Sequence, residues 1–245
     1  CYIRRILKLL ENVKVVAVSG IRRAGKSFIA RQVVKKLIVE KGVKPEATLI
    51  IRLYDERLVN LSYELLLKIY ELYLTYVKKS KGLTFLVIDE AQEVDGWERF
   101  VRGLEERDEA KIIVTGSSAK LLSSEFTSLL SGRHVEVRVT PLSFKELLRF
   151  KGIRVDNTLE LAKRLDVIKG TLAEMMEYGG FPDVVLHPEV RAELIHSYFD
   201  IIVVKDVVNR YSLRSEEKVR SLAKFYISSS ASKITYNSVS KSLKI

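Results

Sequence analysis

Cysteine is nearly missing from this chain: Cys1 is the single one in 245 residues. No disulfide framework and no cysteine-rich metal site can be built within one such chain. A reducing compartment, the cytoplasm, is the expected setting. Histidine is scarce as well, and the spacing of His134, His187 and His196 matches no metal-binding pattern. Glutamine occurs only at Gln32 and Gln92, which leans toward a thermophile-like composition. No apolar run is long enough to cross a bilayer, so no membrane partner is expected. The opening CYIRRILKLL has no small-residue cleavage site, so no secretory leader is expected. It has no initiator methionine either, so the chain is expected to be a fragment of a longer protein.

Apolar residues make up 47% of the chain, enough for a packed core and against disorder. The net charge of +11 favours polyanionic partners: nucleotides, nucleic acid or an acidic protein. It is equally compatible with ordinary solvated charged faces.

Five runs rich in β-branched residues recur through the first part: 13–20, 48–55, 84–90, 111–118 and 134–140. The first four are almost continuously apolar, as parallel strands covered on both faces would be. The last alternates Val135, Val137 and Val139 with polar residues and predicts an edge strand. Helical periodicity fills the gaps. One stretch places Leu65, Leu66, Ile69, Leu72, Tyr73 and Tyr76 on one face, and another does so with Trp97, Phe100, Val101 and Leu104. Strands alternating with helices predict a parallel α/β sheet. After Pro141 the strand signal stops and helical patterns take over. The expected organisation is an α/β core over 1–140, a helical domain over 141–228 and a serine-rich tail over 229–245.

The stretch SGIRRAGKSF stands where the first strand run gives way to a helical one. Gly20, Gly25, Lys26 and Ser27 fit G-x-x-x-x-G-K-[ST] in the strand–helix context that the pattern requires. Glycines let the backbone turn so that successive N–H groups point at one anion, and the helix N-terminus adds partial positive charge. The run Gly20, Ile21, Arg22, Arg23, Ala24, Gly25, Lys26, Ser27 and Phe28 is thus the candidate phosphate cradle. Lys26 would reach the β- and γ-phosphates and Ser27 would offer a hydroxyl to Mg²⁺. The side chains of Arg22 and Arg23 face either phosphate or solvent.

The run TFLVIDE ends in Asp89 and Glu90. Strand tips are where doubly wound sheets bind ligands. Asp89 is placed to hold Mg²⁺ directly or through water, and Glu90 to orient and deprotonate an attacking water. The run KIIVTGSS ends in hydroxyl residues, of which Thr115, Ser117 or Ser118 would sense the γ-phosphate, with Ser117 taken as the catalytic candidate. Arg133 is either an arginine finger reaching across a subunit interface or an ordinary ion-pair partner.

In this order, GIRRAGKS, LVIDEAQ, VTGSS, SGRHVEVRVTPLSFKEL and EYGGFPDVV resemble the archaeal and bacterial ATPases of the AAA+ superfamily with a PLSF-type lid, close to the STAND clade of nucleotide switches. The resemblance spans nearly the whole chain. It implies an α/β P-loop NTPase fold with a five-stranded parallel sheet, order 5-1-4-3-2, then a helical lid and a winged helix. It implies ATP or ADP and Mg²⁺ as ligands, with Gly180 and Pro182 lining the base pocket and Phe181 nearby. Lys205, Asp206, Arg210 and Arg214 fall where the family carries a charged stretch. The tail resembles only the opening two helices of a winged helix, without its recognition helix and wing. The function expected is an ATP-binding and ATP-hydrolysing switch, monomeric or assembling with nucleotide. Two alternatives stand beside it: a DNA-binding regulator gated by ATP, and a signalling switch that oligomerises and recruits a protein partner.

Overall fold

The computed structural model describes residues 2–117, 134–155 and 157–243. The chain divides into two compact units, Cys1–Ser143 and Phe144–Ile245. Among the described residues no helix is long and apolar enough to cross a membrane.

In the first unit five strands form one sheet: β1 (Val15–Ser19), β2 (Thr48–Arg52), β3 (Thr84–Asp89), β4 (Ala110–Gly116) and β5 (His134–Arg138). Every neighbouring pair is parallel, in the order β2-β3-β4-β1-β5, which is the expected order read from the other edge. Parallel neighbours need crossover connections, and helices supply most of them. The side-chain period of two along each strand splits the core into two layers. Val15, Ala17, Leu86, Ile88, Ile112 and Val114 point to one face, under α3 (Tyr63–Tyr76) and α4 (Trp97–Glu106). Val16, Val18, Val87 and Ile113 point to the other, under α1 (Tyr2–Asn12) and α2 (Lys26–Lys41). The central strands β1, β3 and β4 are buried almost throughout, which is why they read as continuous apolar runs.

Three expectations change here. β2 is an edge strand, not one covered on both faces: Ile50 is 37% exposed, because the end of the sheet has a neighbouring strand on one side only. On α3 the buried residues are Leu66, Tyr70 and Tyr73, while Leu72 and Tyr76 face outward. The apolar stripe of that helix is broader than the face it buries, and periodicity alone chose the wrong edge of it. Tyr70 belongs in the core because its ring meets Phe100 edge-on, with centroids 6.0 Å apart. Finally, the opening residues form an amphipathic helix that was not expected, with Ile6 and Leu10 buried against α2 and the sheet.

The second unit contains α5 (Phe144–Phe150), α6 (Thr158–Lys163), α7 (Leu165–Tyr178), α8 (Pro182–Leu186), α9 (Arg191–Ile201), a π-helical stretch (Ile202–Val208), α10 (Glu216–Ser228) and α11 (Tyr236–Leu243). No strand occurs among its described residues. The pattern from Thr158 to Tyr178 reads as one helix but breaks at Arg164, whose φ of −112° leaves the helical region. Asn157 and Ser215 cap the N-termini of α6 and α10 through their side chains. The tail region 229–245 contributes the single described helix α11.

One close approach fixes the junction between β1 and the loop that follows it. Gly20 has φ +146°, and a Cβ there would stand 2.1 Å from the Val139 carbonyl oxygen. The Val139 N–H donates to the Ser19 carbonyl at 2.7 Å, so β5 is drawn against the strand end at this point. Gly20→Ala is therefore expected to lower the denaturant midpoint of the chain by an amount equivalent to about 1–3 kcal/mol, the range for overpacking. An unchanged midpoint would mean that the two backbones can separate freely.

Candidate active site

The sheet order puts β4 between β1 and β3. Whatever follows β1 and β3 therefore flanks the tip of β4, and the sequence motifs sit at those two places.

After β1 the backbone reverses repeatedly. Gly20, Arg23 and Gly25 all have positive φ, at 146°, 67° and 95°. Gly25 is the N-terminal cap of α2, and the first turn of that helix holds no acid that would cancel its partial positive charge. Lys26, the first residue of α2, is only 4% exposed. Its ammonium donates to the Ile21 carbonyl at 3.2 Å and lies 3.8 Å from Glu90 Oε1. A lysine buried to this degree is rare unless its charge has partners. Ala24 is buried, while Ile21, Arg23 and Phe28 point outward.

After β3 come the two acids. Asp89 is 2% exposed. Its Oδ1 accepts from the Ser27 hydroxyl at 2.8 Å and from the Thr115 hydroxyl. Thr115 in turn accepts from the Glu90 N–H at 3.1 Å. One buried hydroxyl on β4 thus joins both acids. Tyr54, just past β2, stands near Asp89; burial first and the Asp89 charge second raise its phenol above the ordinary tyrosine value. Glu90 itself sits in the left-handed region at φ 59°, ψ 51°, a conformation that costs a non-glycine residue about 1–2 kcal/mol and gathers at functional sites. Its carboxylate accepts from the Gln92 amide and lies 3.8 Å from Arg22.

The structure thus brings together Gly20, Arg22, Lys26, Ser27, Asp89 and Glu90. Of the three hydroxyls expected as sensors, Thr115 is the one that meets the acids. Ser117 follows the end of β4 and is partly exposed, while Ser118 and Arg133 lie outside the described residues. Gly180 and Pro182 belong to the second unit, where Pro182 opens α8 and Phe181 packs edge-on against Tyr198, with centroids 5.3 Å apart. Tyr54 was missed from the sequence. Its signal was position alone, since it stands at the C-terminal tip of a parallel strand beside β3.

Among the described residues no group of three or more His, Cys, Asp or Glu could hold a metal. Ser27 and Asp89 instead offer two adjacent hard oxygens. That set suits Mg²⁺, which takes one or two protein ligands and fills its shell with water and phosphate oxygens.

Comparison with known proteins agrees with this layout. A family model described as an AAA domain matches residues 12–148. A second, described as a domain of unknown function, matches residues 169–245. An uncharacterized protein of Methanocaldococcus jannaschii is 33% identical over 240 residues, covering 97% of this chain and 52% of its own length. An uncharacterized protein of Haemophilus influenzae is 32% identical over 227 residues, covering 91% and 54%. The chain therefore spans about half the length of these two relatives. Among solved structures, the Walker-type ATPase of Pyrococcus abyssi shares the fold with a TM-score of 0.54 at 18% identity, over 99% of this chain and 87% of that one. With the AAA model matching more than half of its residues over a five-stranded parallel sheet, the chain belongs to the AAA domain family of the AAA+ ATPase superfamily.

Proposed function

We propose that the first unit binds ATP with Mg²⁺ and hydrolyses it, and that hydrolysis times a conformational switch. The observation that carries this reading is the bond from Ser27 to Asp89, which ties the first turn of α2 to the acidic tip of β3. In this reading the backbone from Gly20 to Phe28, including Ile21, Arg22, Arg23 and Ala24, cradles the phosphates. Lys26 binds the β- and γ-phosphate oxygens. Ser27 and Asp89 hold Mg²⁺, which would neutralise charge on the phosphates when bound. Thr115 holds Asp89 and the Glu90 backbone in place. Glu90 accepts a proton from the attacking water as its oxygen bonds to the γ-phosphorus and the bond to the β-phosphate oxygen breaks, leaving ADP. Ser117 senses the γ-phosphate, and Arg133 completes the site from the same or a neighbouring copy.

Lys26→Ala is expected to weaken ATP binding by about a hundredfold or more, since it removes at least two charge-assisted bonds worth about 1.5–3 kcal/mol each. Calorimetry measures this, and undiminished affinity would refute the phosphate assignment. Glu90→Gln is expected to leave ATP affinity nearly unchanged while turnover falls by about 10²–10⁴, the usual contribution of a general base. Equal turnover in the two proteins would remove Glu90 from the chemistry.

The charge of +11 supports a second reading, DNA binding gated by the nucleotide. Affinity for duplex DNA, followed by fluorescence anisotropy, should then fall steeply between about 50 and 200 mM salt. No binding at low salt would dismiss that reading.

A further inference from the structure

Arg22 holds the third position of the phosphate loop, where its side chain was expected to face either phosphate or solvent. In the structure it does neither alone. Its guanidinium lies 3.8 Å from Glu90 Oε2 and 3.9 Å from Glu93 Oε1. The side chain of Arg22 is 21% exposed, whereas the next residue, Arg23, is exposed and has φ +67°. That reversal of the backbone sends successive arginines in different directions, Arg22 inward over the acids and Arg23 toward water.

The two acids are arranged for one planar cation. A short 3₁₀ turn, Ala91–Glu93, follows Glu90, and the Glu93 N–H donates to the Glu90 carbonyl at 3.0 Å. Glu90 and Glu93 are therefore one turn apart and face the same side. A guanidinium has five donors in a rigid fork and remains charged at any accessible pH, so it can span two carboxylates in a more fixed geometry than an ammonium.

Glu90 needs such a partner. It stands beyond the strand end in a left-handed conformation, where no ladder fixes its side chain. Among the described residues its carboxylate meets the Gln92 amide, the Lys26 ammonium and the Arg22 guanidinium. If Lys26 is engaged by phosphates, as the hydrolytic reading requires, it cannot also orient this acid. Of these partners Gln92 and Arg22 remain, and Arg22 carries the charge.

We propose that Arg22 is a positioning residue for Glu90: its guanidinium bridges Glu90 and Glu93 and holds the Glu90 carboxylate toward the attacking water, and is not itself a phosphate ligand. The assignment rests on the hydrolytic reading above and deepens it. It gives the two arginines of the loop different roles.

The test uses the full chain with ATP and Mg²⁺, measuring affinity by calorimetry and turnover under saturating and single-turnover conditions. Arg22→Ala should lower kcat by about 10–100-fold, the order expected when a reacting group is misplaced by about an ångström, and leave ATP affinity within about threefold. Arg22→Lys should recover part of the loss, because it keeps the charge without the fork. In a Glu90→Gln background, Arg22→Ala should lower the residual rate no further, because the two residues act as one unit. Thermal melts check folding, and Arg22→Gln takes the place of the alanine variant if that one does not fold. Three results would overturn the proposal: an affinity loss comparable to that of Lys26→Ala, which would make Arg22 a phosphate ligand; an unchanged kcat; or additive losses in the Glu90→Gln background. A parent that binds ATP but never hydrolyses it overturns the hydrolytic reading and this assignment with it. A hydrolysing parent matched by Arg22→Ala overturns the assignment alone.

Discussion

A hydroxyl on the first turn of α2 donates to a carboxylate at the end of β3, Ser27 to Asp89 at 2.8 Å, and the site takes its shape from that contact. Asp89 is almost wholly removed from water. A charged oxygen in such a place is tolerable only with hydrogen-bond donors around it. Ser27 and Thr115 provide them from the first turn of α2 and from β4. Two elements therefore converge on one side chain. They can do so because β4 lies between β1 and β3. A different strand order would leave the same motifs intact in sequence and scattered in space.

Charge around this point is layered. Asp89 is held by neutral hydroxyls, a surrounding that suits exchange with a hard cation. Glu90, its neighbour in the chain, is held by cations and an amide. Adjacent acids thus meet different environments, and different environments let two carboxylates take different parts in one reaction. The left-handed backbone at Glu90 separates them by turning the second side chain away from the strand direction. Such strain persists because the chain is pinned on both sides, by the Thr115 hydroxyl at the Glu90 N–H and by the 3₁₀ turn that follows.

Much of this was legible in the residues. The central strands announced themselves because burial on both faces demands unbroken apolar runs, and β5 because its alternation suits a sheet edge. The tight turn between β1 and α2 was legible because two glycines stand between an apolar run and a helical one. What failed to show was whatever depends on contacts across elements. Ile50 reads as a core residue but lies on an edge strand, since apolarity does not record how many neighbours a strand has. Tyr70 is less apolar than Leu72 yet is the buried one of the two in α3, where its ring packs against Phe100 on α4. Tyr54 and the bridge from Arg22 to Glu93 join residues far apart in sequence, and no spacing rule encodes such pairs. Thr115 stood among three hydroxyls, and its register beside β1 and β3 singled it out.

The central claim is that the loop and the strand tip form one site through Ser27 and Asp89, with Mg²⁺ as the shared ligand. The most direct measurement is the ATP affinity of the parent and of Ser27→Ala, each with and without Mg²⁺. The account predicts that Mg²⁺ tightens ATP binding in the parent and that this enhancement is largely lost in Ser27→Ala, while metal-free affinity changes little. An equal Mg²⁺ enhancement in both proteins would contradict it.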